Sequence, residues 1–505
     1  MKRFLLFITM LLPLTFFGQV QIGSDIDGSA PSSFSGTTTS LSSDGSIVAI
    51  GAPFYSELYY NGGQVRVYKN ISNNWQQLGS DITGTLQDKV GYSVSISSDG
   101  FTLATGAPGN ADNGYNSGQV IIYQYSTVNQ DWIQLGNPIN GENPSDFSGA
   151  SISLSSDGQS IAIGATFNNE NGSESGQVVI YRFNNSINDW EKIGNDINGS
   201  AYDKLGTSVS LSSDGNSVAI GAPQNATEGY VSVYTYDSDN DVWNLLGNSI
   251  IGEAVGDLFG TSVSLSEYGT IVAIGAPDND GSSNGAGHVR IYQLNSSANT
   301  WNLLGTDIDG ESSGDASGSS VSLSSNGNIV AIGAPSNCGS NPINSNVGHT
   351  RIYSYNSVTN IWVQLGNDID GERTNDYSGR PRTVCLSADG TAVSIGAPGN
   401  DGDNTNNDTD ERGHVRVYDL SGAVLSSNSE VLEAFSLYPN PATNQAIITL
   451  PQNLNLNCVN IYNAIGQKIE KINKTNINIS ALAKGIYYIE VVTNQGKATK
   501  KLIKQ

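Results

Sequence analysis

The sequence predicts an all-β chain whose larger part is a seven-bladed β-propeller, and three observations predict it. A Gly-Ala-Pro tripeptide or close variant recurs at Gly51, Gly106, Gly164, Gly221, Gly275, Gly333 and Gly396, with spacings between 54 and 63 residues, the signature of a repeat architecture. Each unit carries four short, alternating apolar and polar segments parted by Gly-, Ser-, Asn- and Asp-rich turns, the pattern of strands in antiparallel pairs. The wording that closes the complete units also opens the chain, as "VQIGSDI" at Val20 to Ile26, while the seventh unit lacks it.

Residues 1–19, "MKRFLLFITMLLPLTFFGQ", join a basic start (Lys2, Arg3) to an apolar run from Phe4 to Phe17 and a small residue, Gly18. That is the form of a secretory signal peptide, short for a membrane span. No later stretch reaches about 18 uninterrupted apolar residues, so an exported chain without a membrane span is expected.

Residues 20–420 hold the repeat. The first strand of a unit reads "SVSLS" at Ser262 to Ser266 and ends in a tight turn, "SSDG" at Ser42, Ser97, Ser155 and Ser212; Asp-Gly between alternating strands is a hairpin signal. The second is "SIVAIGAP", Ser46 to Pro53, stopped by its proline. The third is "GQVRVY", Gly63 to Tyr68, and the fourth "WQQLGSDI", Trp75 to Ile82. All six tryptophans, Trp75, Trp132, Trp190, Trp243, Trp301 and Trp362, occupy that fourth-strand position. Small residues fill the first two strands and large ones the last two. Blades converging on an axis have little room inside, which places the first strand innermost. The seventh unit runs through "GHVRVYDL", Gly413 to Leu420, and stops. "VQIGSDI" is its missing outer strand, expected to pair beside His414 to Tyr418 and so close the ring without an open edge.

The unit from Asp257 to Tyr292, with Phe259-Gly260 and Gly275-Ala276-Pro277, resembles the FG-GAP repeat, the blade of the integrin α-subunit propeller, over residues 20–420. Blades of that family often carry a calcium loop between their first two strands. Here the hairpin is only "SSDG", "SEYG", "SSNG" or "SADG", too short to wrap an ion that takes 6 to 8 oxygens, so those sites are not carried over. Residues 421–433 read as a linker. From residue 434 the chain resembles the type A sorting domain of type IX secretion, on "LYPNPATNQAIITL" (Leu437 to Leu450), "VNIYNAIGQKI" (Val459 to Ile469) and "INISALAKGIYYIEVVTNQGKATKKLIKQ" (Ile477 to Gln505). The resemblance implies a small β-sandwich at 434–505, read by the type IX secretion machinery and usually cut off afterwards. The sorting residues it implies are Tyr438, Pro439, Asn440, Pro441, Gly485, Tyr487, Lys501 and Lys504. It also implies a product released or attached at the cell surface, on the exterior of the outer membrane.

Lys and Arg number 23 against 47 Asp and Glu, for a net charge of -24. From Ala434 onward there are eight Lys and two Glu, so the tail is +6 and the remainder -30. A body of that charge repels nucleic acid and anionic lipid, which excludes both as expected partners. Three cysteines without a Cys-x-x-Cys pair give neither a disulfide framework nor a zinc knuckle.

His288, His349 and His414 each stand in Gly-His-x-Arg, where other blades have Gln64, Gln119, Gln177 and Tyr230. A position shared with Gln and Tyr reads as a strand-edge hydrogen bonder. Asp88, Asp146, Asp203, Asp257, Asp315 and Asp376 each precede a glycine by three residues. They are either a ring of carboxylates at the axis or a repeated Asx-type turn, and the turn is the simpler reading. The loops after Gly-Ala-Pro vary in length and gather Asp278, Asp280, Asp401 and Asp403, weak candidates for calcium. No cofactor is otherwise implied. Without a unique nucleophile, metal motif or carboxylate pair the chain is not read as an enzyme. The expected function is recognition of a glycan or protein by the loops of one face, with Tyr59, Tyr60, Asp401 and Asp403 as contacts. A polysaccharide-directed enzyme on this scaffold and a component of a surface assembly are the alternatives.

Overall fold

A computed structural model describes residues 19–223, 228–339, 345–402, 410–423, 435–450, 456–463, 468–480, 482–493 and 496–504. They group into two compact units, one reaching Ser421 and one starting at Gly422. The expected signal peptide, up to residue 18, and the linker from residue 424 lie outside the described residues.

The first unit is a seven-bladed propeller. Each blade is an antiparallel sheet ordered from the inside outward, as in blade one: Thr38–Leu41, Ile47–Ala52, Gln64–Asn70, then Trp75–Gln77 and Ile82–Thr83. Inner strands pack against the inner strands of the next blade, and that of blade seven against that of blade one. The core lies between successive blades, as in the cluster of Ile180, Val209, Ile220 and Trp243.

The repeated wording has a physical cause at each letter. In "SVSL" the first serine hydroxyl donates to a glycine carbonyl of the next blade, as Ser93 does to Gly149 at 2.7 Å and Ser262 to Gly318 at 2.7 Å. The second accepts a backbone N–H from the next inner strand: Leu154 donates to Ser95 Oγ and Leu265 to Ser210 Oγ. Inner-strand edges, which would otherwise leave buried donors unpaired, are thus sewn together. At the last junction the Leu41 N–H meets Cys385 Sγ at 3.4 Å. The two glycines of the motif touch across blades: a Cβ on Gly221 would lie 2.1 Å from the Gly260 carbonyl oxygen, so only glycine fits.

The outer strand is not the continuous run Trp75 to Ile82 that the sequence suggests. It breaks at Leu78 to Asp81 into two short pieces, both paired to the third strand. Gly79 turns the chain with φ +78°, and the Trp132 ring of the next blade fills the space where its Cβ would stand. Trp132 Nε1 then donates to the Leu78 carbonyl at 2.8 Å. Five of the tryptophans repeat that bond, from Trp132 to Trp362, onto Leu78, Leu135, Ile193, Leu246 and Leu304.

The N-terminal segment closes the ring as expected. Val20 and Gln21 pair with Asp419 and Tyr418, and Ile26 and Asp27 with Val415 and His414. Its Ile22 carbonyl accepts the sixth tryptophan, Trp75, at 2.7 Å. The propeller also takes in Gln19, which the sequence reading placed in the signal peptide. Gln19 stands at the tryptophan position of the strand, and its amide donates to the carbonyls of Leu365 and Asn367 at 2.9 Å each.

The second unit consists of a three-stranded sheet, Ser436–Tyr438, Gln445–Thr449 and Asn476–Asn478, and a four-stranded sheet, Lys468–Ile472, Leu456–Asn463, Gly485–Thr493 and Gly496–Lys504. Their apolar faces share one core, with Phe435, Ile448, Ile461, Ile477, Ile489 and Leu502.

Candidate functional site

Strand order sends the loops after each second strand, and the connections from one blade to the next, to one face. The two sets are tied together. Gln87 N–H donates to the Tyr60 carbonyl, Ser145 to Tyr115, Tyr202 to Ser173 and Gly314 to Asn284, at 2.7–2.9 Å. These four variable loops are therefore each braced by the connection that follows, which preorganises the surface.

The repeated aspartates lie beneath those loops and are buried, so they form no open ring of carboxylates. Five of them, all but Asp257, accept from the backbone three residues earlier, as Asp88 does from Thr85 N–H at 2.7 Å and Asp315 from Ser312 N–H at 2.8 Å. That bond runs backward along the chain, unlike the forward bond of an Asx turn. A second partner had not been singled out: the asparagine of Gly-Ala-Pro-x-Asn. Asn110, Asn168, Asn279, Asn337 and Asn400 donate to Asp88, Asp146, Asp257, Asp315 and Asp376 at 2.7–3.2 Å. Asn recurs two residues past the proline position in six units, Asn225 included, a signal that was present. In blade four the Tyr230 hydroxyl donates to Asp203, and Asn225 lies outside the described residues. Burial raises the pKa of Asp146 and Asp376 even against these bonds.

Above this layer Leu58, Tyr59 and Tyr60 are 66%, 51% and 63% exposed, and Leu86, beside the Gln87 that binds Tyr60, is 64% exposed. Tyr55, in the same loop, is buried, with its hydroxyl donating to Glu57. Exposed apolar residues on the opposite face, such as Val128, Ile187 and Val358, come one to a blade at the turns after the third strands. The acidic loop residues serve largely as turn acceptors. Asp280 accepts from Gly285 N–H at 2.8 Å and Asp401 from Glu411 N–H at 3.0 Å, while Asp278 is exposed with its pKa raised by partial burial and by Asp280. Asp403 lies outside the described residues. Asp401 and the Tyr59 loop stand in neighbouring blades, seven and one.

On the opposite face the Asp-Gly turns are uniform. Asp44 accepts from Ser42 Oγ and Ser46 N–H at 2.7 and 2.9 Å, and Asp99, Asp157, Asp214 and Asp389 repeat the geometry. Burial raises the Asp44 pKa, but those hydrogen bonds outweigh it and leave it lowered.

The axis encloses a cavity of about 200 Å³ walled by Val94, Ile152, Val209, Val263, Val321 and Val384. Here the symmetry is broken by more than loop length. Blade seven inserts "RPR", Arg380 to Arg382, and Arg382 reaches across the axis to the Thr207 carbonyl at 3.3 Å and over the Tyr92 ring.

The three histidines are buried at the start of third strands. Their glutamine counterparts behave as expected: Gln64 donates to Asp81 at 2.8 Å and Gln177 to Glu170 at 3.0 Å. Two of the histidines correct that expectation, since His349 Nε2 and both nitrogens of His414 have no hydrogen-bond partner among the described residues. Burial, and then Arg351 and Arg416, push their pKa values down to about 4.

In the C-terminal unit Tyr438, Pro439, Asn440 and Pro441 form a turn between the first two strands, with Tyr438 exposed. The Asn440 side chain clamps the last strand, donating to the Lys501 carbonyl and accepting from Ile503 N–H at 2.9 Å. Tyr487 is buried, its hydroxyl on the Ala483 carbonyl, and Gly485 pairs with Lys504.

Residues 436–505 match the family model described as the secretion system C-terminal sorting domain. No curated protein sequence matches significantly. Among solved structures, a Bacteroides uniformis protein described as a 6-phosphogluconolactonase is similar at 12% identity and a TM-score of 0.46, covering 67% of this chain and 86% of its own. At that score the likeness carries no argument about chemistry.

Proposed function

We propose that this chain is a binding module displayed at or released from the cell surface. It is made with an N-terminal signal peptide and exported by the type IX machinery through its sorting tail. The observation that carries the reading is the asymmetry of the two faces. One is a set of near-identical short turns; the other bears loops of unequal length, several of them braced by a connection, with Leu58, Tyr59, Tyr60 and Leu86 exposed together. Aromatic rings held on a rigid scaffold stack on sugar rings and pack on protein. The blades are of FG-GAP type, since the Gly260 and Gly221 contact supplies the steric reason for both halves of that motif. A secreted protein without its tail, applied to glycan and extracellular-protein arrays, tests the reading. Selective capture supports it, and turnover of an arrayed polysaccharide would establish the enzyme reading instead.

A further inference from the structure

The carboxylates around His414 come from three separate parts of the fold. Asp25 lies in the N-terminal closing segment, Glu372 in the connection from blade six to blade seven, and His414 opens the third strand of blade seven. His414 Nδ1 lies 3.5 Å from Asp25 Oδ2 and 4.0 Å from Glu372 Oε2, and one ligand atom from each residue falls within 4.8 Å of the others. Around a tetrahedral ion held at ~2.1 Å, ligand atoms stand about 3.4 Å apart.

The second oxygen of each carboxylate is already directed elsewhere. Asp25 Oδ1 accepts from Gln21 Nε2 at 2.6 Å, and Glu372 Oε1 stands 3.7 Å from Arg416 Nη1, while Glu372 Oε2 accepts only a long bond, from Asn400 Nδ2 at 3.4 Å. Arg416 is itself drawn away by the Asp370 carbonyl, to which Nη2 donates at 2.6 Å. Outer partners that orient ligating carboxylates are a usual feature of metal sites. The imidazole is 1% exposed with neither nitrogen hydrogen-bonded among the described residues, a costly state for a buried polar group. Both carboxylates are open enough to solvent for an ion to enter. In blade five the comparable trio, Glu253, His288 and Asp307, is closed, because Arg290 ion-pairs with both acids.

We propose that Asp25, Glu372 and His414 bind a divalent transition-metal ion of the zinc class, which pins the closing segment to blade seven. One imidazole with two carboxylates suits such an ion, whereas calcium takes 6 to 8 oxygens. The site lies on the loop-bearing face, next to the start of the acidic loop of blade seven through Asn400, but the proposal does not rest on what that face binds.

The test uses the full secreted chain stripped with chelator, dialysed against zinc and measured for bound metal and for Tm. His414→Gln is the main variant, because Gln already holds this position in three blades and preserves the fold there. Glu372→Gln, at a half-exposed residue, is the second. The expected result is that both variants lose one zinc equivalent relative to the parent and lose the zinc-dependent rise in Tm, while His288→Gln loses neither. Equal zinc content in parent and His414→Gln would overturn the proposal. So would a Tm rise produced by calcium but not by zinc and abolished by His414→Gln.

Discussion

At the scale of single residues, the ring is held by donors that reach from one blade into the next. Trp301 is nearly buried and donates through Nε1 to the Leu246 carbonyl at 2.9 Å. Trp301→Phe keeps most of the apolar contact but strands that carbonyl, a loss of about 1–3 kcal/mol; Trp301→Ala adds a cavity and costs about 3–5 kcal/mol. Urea denaturation of the two variants separates the contributions. The Asp-Gly turns carry a pH dependence. Asp44, Asp214 and Asp389 have lowered pKa values, each because hydrogen bonds from the adjoining serine and backbone outweigh burial. Their contribution is complete above the unfolded carboxylate pKa of about 3.9 and is lost as pH falls through the lower folded value. Blade six already has Asn326 at this position with the same bonds from Ser324 and Asn328. Asp44→Asn should therefore fold normally and show a shallower loss of Tm between pH 4 and pH 2, measured by calorimetry. The tryptophans were legible in the sequence because they repeat in six of the seven blades. Gln19 was not, because a glutamine in the tryptophan position breaks the pattern and sits next to an apolar run. The histidines were legible as a repeat, but their missing partners depend on which neighbours the fold brings up, and spacing does not encode that.

Among the elements, the closing segment is the most consequential. It supplies the outer strand of blade seven, a carbonyl for Trp75 and the Gln19 amide for blade six. Deleting residues 19–28 removes all three and opens a sheet edge. The deletion is expected to unfold at lower temperature and to self-associate, read by calorimetry and light scattering; melting like the parent would refute the role. Gln19→Ala alone should cost about 0.5–1.5 kcal/mol, the net worth of a hydrogen bond. This pairing was readable from "VQIGSDI", because a repeat's phrase out of place points to its partner. The break in the outer strand was not readable. Its cause is the tryptophan of the following blade, more than 50 residues away in sequence, and a local pattern of apolar and polar residues runs straight through Leu78 to Asp81.

At the scale of the whole molecule, the proposed reading gives recognition to the acidic ring and export to the basic tail. Removing Lys500 to Gln505 takes out the residues paired with Gly485 to Ile489, and buried Leu502 with them; this truncation is expected to leave the chain in the periplasm, as shown by fractionation and surface proteolysis. Lys501→Ala with Lys504→Ala keeps the strand and isolates the charge, so surface delivery of that variant would assign the signal to the fold of the tail alone. The ligand-bearing face is the central claim. Its location followed from strand order and loop lengths, but which side chains stand exposed there did not: Tyr55 and Tyr59 are four residues apart, and one is buried while the other is open. The most direct measurement is binding of one array-identified ligand to two variants of equal folded content, Tyr59→Ala/Tyr60→Ala on the loop face and Asp44→Ala/Asp99→Ala in the opposite turns. The account predicts at least about a tenfold loss of affinity, 1.4 kcal/mol, for the tyrosine pair and parental affinity for the turn pair. Parental binding by the tyrosine pair with loss in the turn pair would place recognition on the other face.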